Sequence, residues 1–280
     1  MGASERENGA TRLLAEPARG RVFRTERRVR LAEADVAGRL RLDAAARVLQ
    51  DVATDDSHDL GTLRARAWVV RRTVIEQHVP ARYNERLALS TFCSGLGTRW
   101  AERRISMTGD RGGRLETVTL WVHLDPESGR PARLPAEFVD VYSEPAGGRE
   151  VTARQLHEPV VPEDDDVHTM PWWPRITDLD VLDHVNNAAS WEVLEQSVDR
   201  AVERGLVSDM RTGPVRAEVE FRDPIGADVV RSAMPMTVAY CVRNEVLDVT
   251  LWSIDGTTAH VTARLAALTE DPAEADGGER

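Results

Sequence analysis

Lysine is absent from this 280-residue chain, and all 36 basic residues are arginine. That excludes Schiff-base chemistry, a Walker-type phosphate loop and any lysine-paired nucleophile. Cysteine is almost as scarce: Cys93 and Cys241 stand alone and far apart, which argues against a disulfide framework or a cysteine metal site and for a reducing compartment. Long apolar runs are missing too. Residues 1–20 mix Glu5, Arg6 and Glu16 with Gly and Ala, so neither a signal peptide nor a membrane span is expected, and the reading is a cytoplasmic protein. Basic charge is outweighed by 47 acidic residues, for a net charge of −11, and nucleic acid is therefore not an expected partner.

What is present is a packable chain with 41% hydrophobic residues, only 5% of the total being aromatic, so its core is mostly aliphatic. Residues 1–19 and the acidic stretch 270–280 read as tails with little to bury. A second break runs from Ser143 to Asp166, where Glu-Pro-Ala-Gly-Gly-Arg and Val-Val-Pro-Glu-Asp-Asp-Asp interrupt the pattern. The halves on either side contain a repeat. Arg30, Asp35-Val36, Ala44 and Val48-Leu49 recur as Arg175, Asp180-Val181, Ala189 and Val193-Leu194, each 145 residues later and without a gap.

Leu42, Ala45, Ala46, Leu49, Val52 and Ala53 fall on one face at helical spacing. A second helix is predicted from Ala188 to about Glu203. The runs Trp68–Val79, Leu87–Phe92, Arg99–Met107, Glu116–Leu124, Val215–Arg222, Val229–Val242, Val246–Ile254 and Ala259–Leu268 alternate as half-covered strands do. Gly95-Leu-Gly97, Asp110–Gly113 and Asp255-Gly256 supply turns. Each half thus reads as a strand, a helix and several antiparallel strands: an α+β chain in which a helix packs against a curved sheet and the two sheets pair.

Chemistry concentrates between Asp178 and Asn187. Asp178, Asp180 and Asp183 join His184, Asn186 and Asn187 just before the second helix, where free backbone N–H groups favour a developing oxyanion. Asp and Asn in such a place are also ordinary helix caps. The first half argues for more than capping, because its matching stretch, Asp35 to Leu42, has the aspartate but neither the imidazole nor the paired amides. No dinucleotide fingerprint or Gly-x-Ser-x-Gly elbow exists elsewhere, Gly95-Leu-Gly97 being read as a turn. The seven histidines lack ligand pairing. Neither a cofactor nor a metal is expected. Trp172-Trp173 reads as a strand anchor, and both cysteines read as small core residues.

Over most of residues 20–268 the chain resembles the acyl-[acyl carrier protein] (acyl-ACP) thioesterases of plants and bacteria. The likeness is carried by Leu42–Ala53, Trp68-Val-Val, Leu120–Asp125 with Arg130–Pro135, and above all Asp178-Leu-Asp180 followed by His184-Val-Asn186-Asn187, Trp191, Leu194 and Glu195. The resemblance implies a tandem (double) hot-dog fold. Its parts are an N-terminal hot dog (20–143) shaping the acyl pocket, a linker (144–166) and a catalytic C-terminal hot dog (167–269). It also implies hydrolysis of fatty acyl-ACP, with Asp180, His184 and Asn186 as site residues. Two positions depart from the family pattern: Leu182 replaces an Asn, and Pro224 with Ile225 replaces the region of a downstream Glu. Asp180 would activate water or attack the thioester itself, His184 would orient the nucleophile, and nearby N–H groups would hold the oxyanion. Alternatives are an acyl-coenzyme A substrate and a non-catalytic acyl-thioester binder; a homodimer is left open. Arg99, Arg103, Arg104, Arg111 and Arg114 are candidates for docking the acidic carrier.

Overall fold

The computed structural model describes residues 13–61 and 67–268, whose alternating segments pair into one ten-stranded antiparallel sheet. The first half supplies β1 (Phe23–Arg28), β2 (Ala67–Val79), β3 (Arg86–Leu96), β4 (Trp100–Gly109) and β5 (Arg114–Leu124). The second supplies β6 (His168–Trp172), β7 (Val215–Phe221), β8 (Met236–Arg243), β9 (Val246–Trp252) and β10 (Ala259–Ala267). Across the sheet they run β1-β3-β4-β5-β2-β7-β10-β9-β8-β6, the same order from either edge once each strand is matched to its counterpart. The edges are β1 and β6. The halves join through β2 and β7, where Thr73 faces Val219 and Val74 faces Glu218.

One long helix belongs to each half: α1 (Leu42–Asp59) and α3 (Trp191–Glu203), with α2 (Ala136–Ala146) and α4 (Ala227–Arg231) as shorter additions. On α1 the residues at helical spacing, Leu42, Ala45, Ala46, Leu49 and Val52, are buried, and Ala44 and Val48 widen the face. On α3 Trp191, Leu194, Val198 and Ala201 are buried. Each large apolar side chain so buried contributes about 1.5–3 kcal/mol. This is a tandem hot dog. Its pseudo-twofold axis passes between α1 and α3, where Arg47 Nη2 donates to Glu192 Oε1 at 3.2 Å across exactly matched positions, 145 residues apart.

The structure departs from the sequence expectations in five places, the first being that the second helix, expected from Ala188, begins at Trp191 after a turn over 187–190. The run Val229–Val242 is not one strand: α4 ends at Arg231, Ala233 adopts φ 54° and Pro235 has no N–H to pair, so β8 starts only at Met236. Helix α2 arises in a segment whose Pro and Gly content hid it; Pro135 precedes it, Gly147 (φ 59°) ends it, and Phe138 and Tyr142 are its buried face. Gly95 lies inside β3 at a bulge, where an added Cβ would come within 2.5 Å of Val151 Cγ1. Arg103 and Arg104 are buried rather than displayed for docking. Arg103 Nη1 donates to Asp56 Oδ2 at 2.7 Å beside Tyr142, and Arg104 Nη2 donates to Glu116 at 2.8 Å.

Both cysteines are buried, and burial above all pushes the Cys93 thiol up to about 11. Trp172 anchors β6 in the core while its neighbour Trp173 is exposed. No described helix is long and apolar enough to cross a membrane. The tails expected at 1–19 and 270–280 lie outside the described residues from 1 to 12 and from 270 onward.

Candidate active site

Both halves make the same loop before their long helix. A turn of 3₁₀ helix, Leu31–Glu33 or Ile176–Asp178, is braced by a carboxylate that accepts the N–H three residues earlier: Glu33 from Arg30 at 2.8 Å, Asp178 from Arg175 at 2.7 Å. The chain then reverses. Asp35 N–H donates to the Arg39 carbonyl at 2.8 Å, and Asp180 N–H donates to the His184 carbonyl at 2.9 Å. Arg41 N–H reaches the Glu33 carbonyl at 3.0 Å, as Asn186 N–H reaches Asp178 at 2.8 Å. The left-handed residue each turn needs is Gly38 (φ 73°) in one loop and Asp183 (φ 59°) in the other.

Side chains separate the two loops. Asp35 accepts the N–H groups of Ala37 and Arg39 at 2.9 and 2.8 Å and the Arg39 guanidinium at 2.7 Å. Burial pulls its pKa upward, but these donors outweigh it and hold the carboxyl below its usual range. The half-buried Asp180 accepts one donor among the described residues, the N–H of Leu182 at 2.9 Å, and no cation. At the Arg39 position stands His184, exposed. Asn186 Oδ1 accepts the N–H of Ala188 at 2.8 Å, starting the turns that lead into α3.

The neighbouring carboxylates have other tasks. Asp178 is buried in its ion pair with Arg175 at 2.8 Å, and Asp183 points to Arg231 at 3.2 Å. Residues 225 and 226 run beside the loop: Val185 N–H donates to the Ile225 carbonyl at 2.8 Å, and His184 bridges Gly226. The segment 224–226 is thus next to His184, and it offers no carboxylate. Among the described residues no group of three or more His, Cys, Asp or Glu is placed to hold a metal ion.

Between the halves lies a small cavity of ≈ 10 Å³, about the room one water needs. Leu49 and Gln50 of α1 form one wall, Asn187 and Trp191 at the start of α3 the other, and Thr73 and Trp121 of β2 and β5 lie on its floor. Its lining is mostly apolar. Gln50 and Trp121 escaped the sequence reading, although Leu49-Gln50 stands in the repeat exactly where Leu194-Glu195 stands in the second half.

Comparisons with known proteins bear on the family and the fold. A model of the acyl-ACP thioesterase N-terminal domain matches residues 20–142, and one of the C-terminal domain matches 162–233. The chain belongs to the acyl-ACP thioesterases. It is a thioester hydrolase of that family, acting on acyl-ACP. An uncharacterised protein of Mycobacterium tuberculosis is 29% identical over 238 residues, 84% of this chain and 88% of that one. Among solved structures, the thioesterase is similar to one from Lactobacillus plantarum described as an oleoyl thioesterase (TM-score 0.69, 19% identity, 90% and 98% of the two chains). It is similar also to the 12:0-ACP thioesterase of Umbellularia californica (TM-score 0.66, 18% identity, 87% and 92%). At these identities the likeness speaks for the shared fold.

Proposed function

We propose that the thioesterase releases fatty acids from acyl-ACP in fatty acid synthesis, with Asp180, His184 and Asn186 as its hydrolytic residues in a C-terminal catalytic hot dog. The observation that carries this is the contrast between Asp35, tied to Arg39, and Asp180, which keeps one carboxylate oxygen free of any partner among the described residues. A carboxylate so placed takes a proton from water as the water oxygen attacks the thioester carbon. The carbon–sulfur bond then breaks, the carrier thiolate takes up the proton, and the free acid leaves. His184 orients the water or relays that proton, and Asn186 shapes the turn that aims N–H groups at the oxyanion. With Leu182 and Pro224 at the departed positions, the Asp180 carboxylate acts without a second acid from those two sites.

The N-terminal half shapes the acyl pocket, and the cavity between the halves draws its whole lining from one chain, so a homodimer is not needed to complete the site. Coenzyme A is the alternative carrier. Steady-state hydrolysis of matched acyl-ACP and acyl-coenzyme A panels by the purified cytoplasmic enzyme tests the reading. Higher kcat/KM for acyl-ACP, abolished by Asp180→Asn, supports it; wild-type turnover in that variant overturns the residue assignment. Tight acyl binding with no turnover by the wild type would identify a binding protein instead.

A further inference from the structure

The loop that carries Asp180, His184 and Asn186 leans on a short stretch of backbone after β7. Val185 N–H donates to the Ile225 carbonyl at 2.8 Å, Ala227 N–H donates to the Asp183 carbonyl at 3.1 Å, and His184 bridges Gly226. Whatever fixes residues 221–224 therefore fixes the loop. Pro224 has no N–H to contribute, and the ladders that hold β7 stop before it. The last pair with β10 is Phe221 with Val261, and the last pair with β2 is Glu220 with Arg72.

The first half meets the matching need with its own strand and turn. There Leu40 N–H donates to the Ala81 carbonyl at 2.8 Å, as Val185 does to Ile225, and Arg39 bridges Arg82 as His184 bridges Gly226. Strand β2 stays paired with β5 as far as Val79, next to Pro80, and Glu85 Oε2 accepts the Arg82 N–H at 2.6 Å. By contrast β7 ends at Phe221.

A side chain from the other half takes over at that point. In β2 the register shifts between Val70, opposite Trp121, and Arg72, opposite Leu120, so Arg71 is an extra residue in a bulge. Bulges bend a strand and re-aim its side chains. Arg71 Nη1 donates to the carbonyls of Phe221 at 2.9 Å and Arg222 at 3.0 Å, the two residues that follow the last β2–β7 pair. On the opposite side the His260 carbonyl accepts the Arg222 N–H at 2.8 Å, and His260 Nδ1 lies 3.1 Å from the Asp223 carbonyl. Arg71 is half-buried, and burial above all lowers its pKa. A cation is kept here against a desolvation cost that its charge-assisted bonds offset.

Building on the thioester-hydrolase reading and its site residues, we propose that Arg71 is a positioning residue. From the N-terminal half it sets segment 221–225, and through that segment the loop of Asp180, His184 and Asn186 in the C-terminal half. It acts through backbone carbonyls rather than on the thioester. The second half's loop is thus held in place by both halves.

Amide exchange and kinetics of full-length variants test this. In Arg71→Ala the Val185 and Ala227 amides exchange with solvent at least ~10-fold faster, while Leu40, which makes the matching bond in the first half, keeps its wild-type rate. Turnover of acyl-ACP falls ~30-fold in kcat and KM changes less than about threefold, because a misplaced reacting group costs rate rather than ground-state binding. One nitrogen makes both Arg71 bonds, so the three-donor ammonium of Arg71→Lys recovers at least ~5-fold of that kcat. A merely structural Arg71 predicts faster exchange at Leu40 and Val185 alike, with kcat of the folded enzyme unchanged. That result, unchanged Val185 exchange in Arg71→Ala, or a loss of kcat that Lys does not reduce, overturns the inference. The exchange measurement needs no substrate. An absence of hydrolysis in the wild type would count against the function, while Val185 exchange still decides whether Arg71 holds the loop.

Discussion

Asp35 and Asp180 occupy loops with the same backbone hydrogen bonds and the same left-handed turn, yet Asp35 is clamped by Arg39 and Asp180 is not. The helix starts differ in the same sense: the Leu42 N–H is capped by Glu195, whereas the Asn187 N–H has no partner among the described residues. In both comparisons the first half satisfies its polar groups internally and the second leaves them available. On the proposed assignment, stability and reactivity are divided between copies of one unit: satisfied groups hold the fold, and unsatisfied ones are left to meet substrate. A symmetric dimer of single hot dogs cannot make that division, since any change appears in both of its sites. Fusion of the halves through β2 and β7 removes the constraint.

The largest effect that sharpens this contrast is expected from Asp180→Asn, which lowers kcat by ~10³-fold, within the range for loss of a general base; stopped-flow or steady-state release of free carrier thiol measures it. Next comes His184→Arg, which gives the second loop the cation of the first. A guanidinium placed as Arg39 is would pin Asp180, and kcat falls ~100-fold while the melting temperature stays the same or rises.

A third test is pH-dependent. Burial above all, with the nearby Asp43 carboxylate, pushes the Glu195 carboxyl up from 4.5 to about 7, so the folded state binds its proton more tightly than the unfolded chain. The stability it contributes is full below about 4.5 and is lost as pH rises through about 7. Glu195→Gln keeps an acceptor for Leu42 and removes the titration. It is expected to be neutral near pH 5 and to stabilise by ~2 kcal/mol at pH 8, read from urea unfolding at the two pH values. The smallest effect belongs to Asp35→Asn, which leaves turnover unchanged and costs at most ~1 kcal/mol of stability, because the ion pair it breaks is partly solvated.

Much of this was legible in the residues because the signals are local. The face of α1 and the period-2 runs of β2, β5, β7, β9 and β10 need only their own stretch of chain, and the ungapped repeat foretold matching loops. The grouping of Asp180, His184 and Asn186 was likewise visible within one segment. What was hidden depends on distant partners. Arg103 read as a surface charge because Asp56, which buries it, is 47 residues away on α1. Gln50 drew no notice because the residues that share its cavity, Asn187 and Trp121, come from elsewhere in the chain. Helices α2 and α4 were lost to Pro, Gly and apolar runs that spell loop or strand when taken alone.

The ten strands also end in two unlike ways. Strand β1 carries Arg24, Glu26, Arg27 and Arg28 along its six residues, and β6 places Pro171 in mid-strand, where its missing N–H leaves a gap in any further ladder. A sheet this broad would otherwise offer two templates for another copy of itself. Charge at one border and an imino acid at the other stop the sheet from growing from molecule to molecule into aggregates, a safeguard in a chain whose apolar residues are mostly aliphatic and strand-forming.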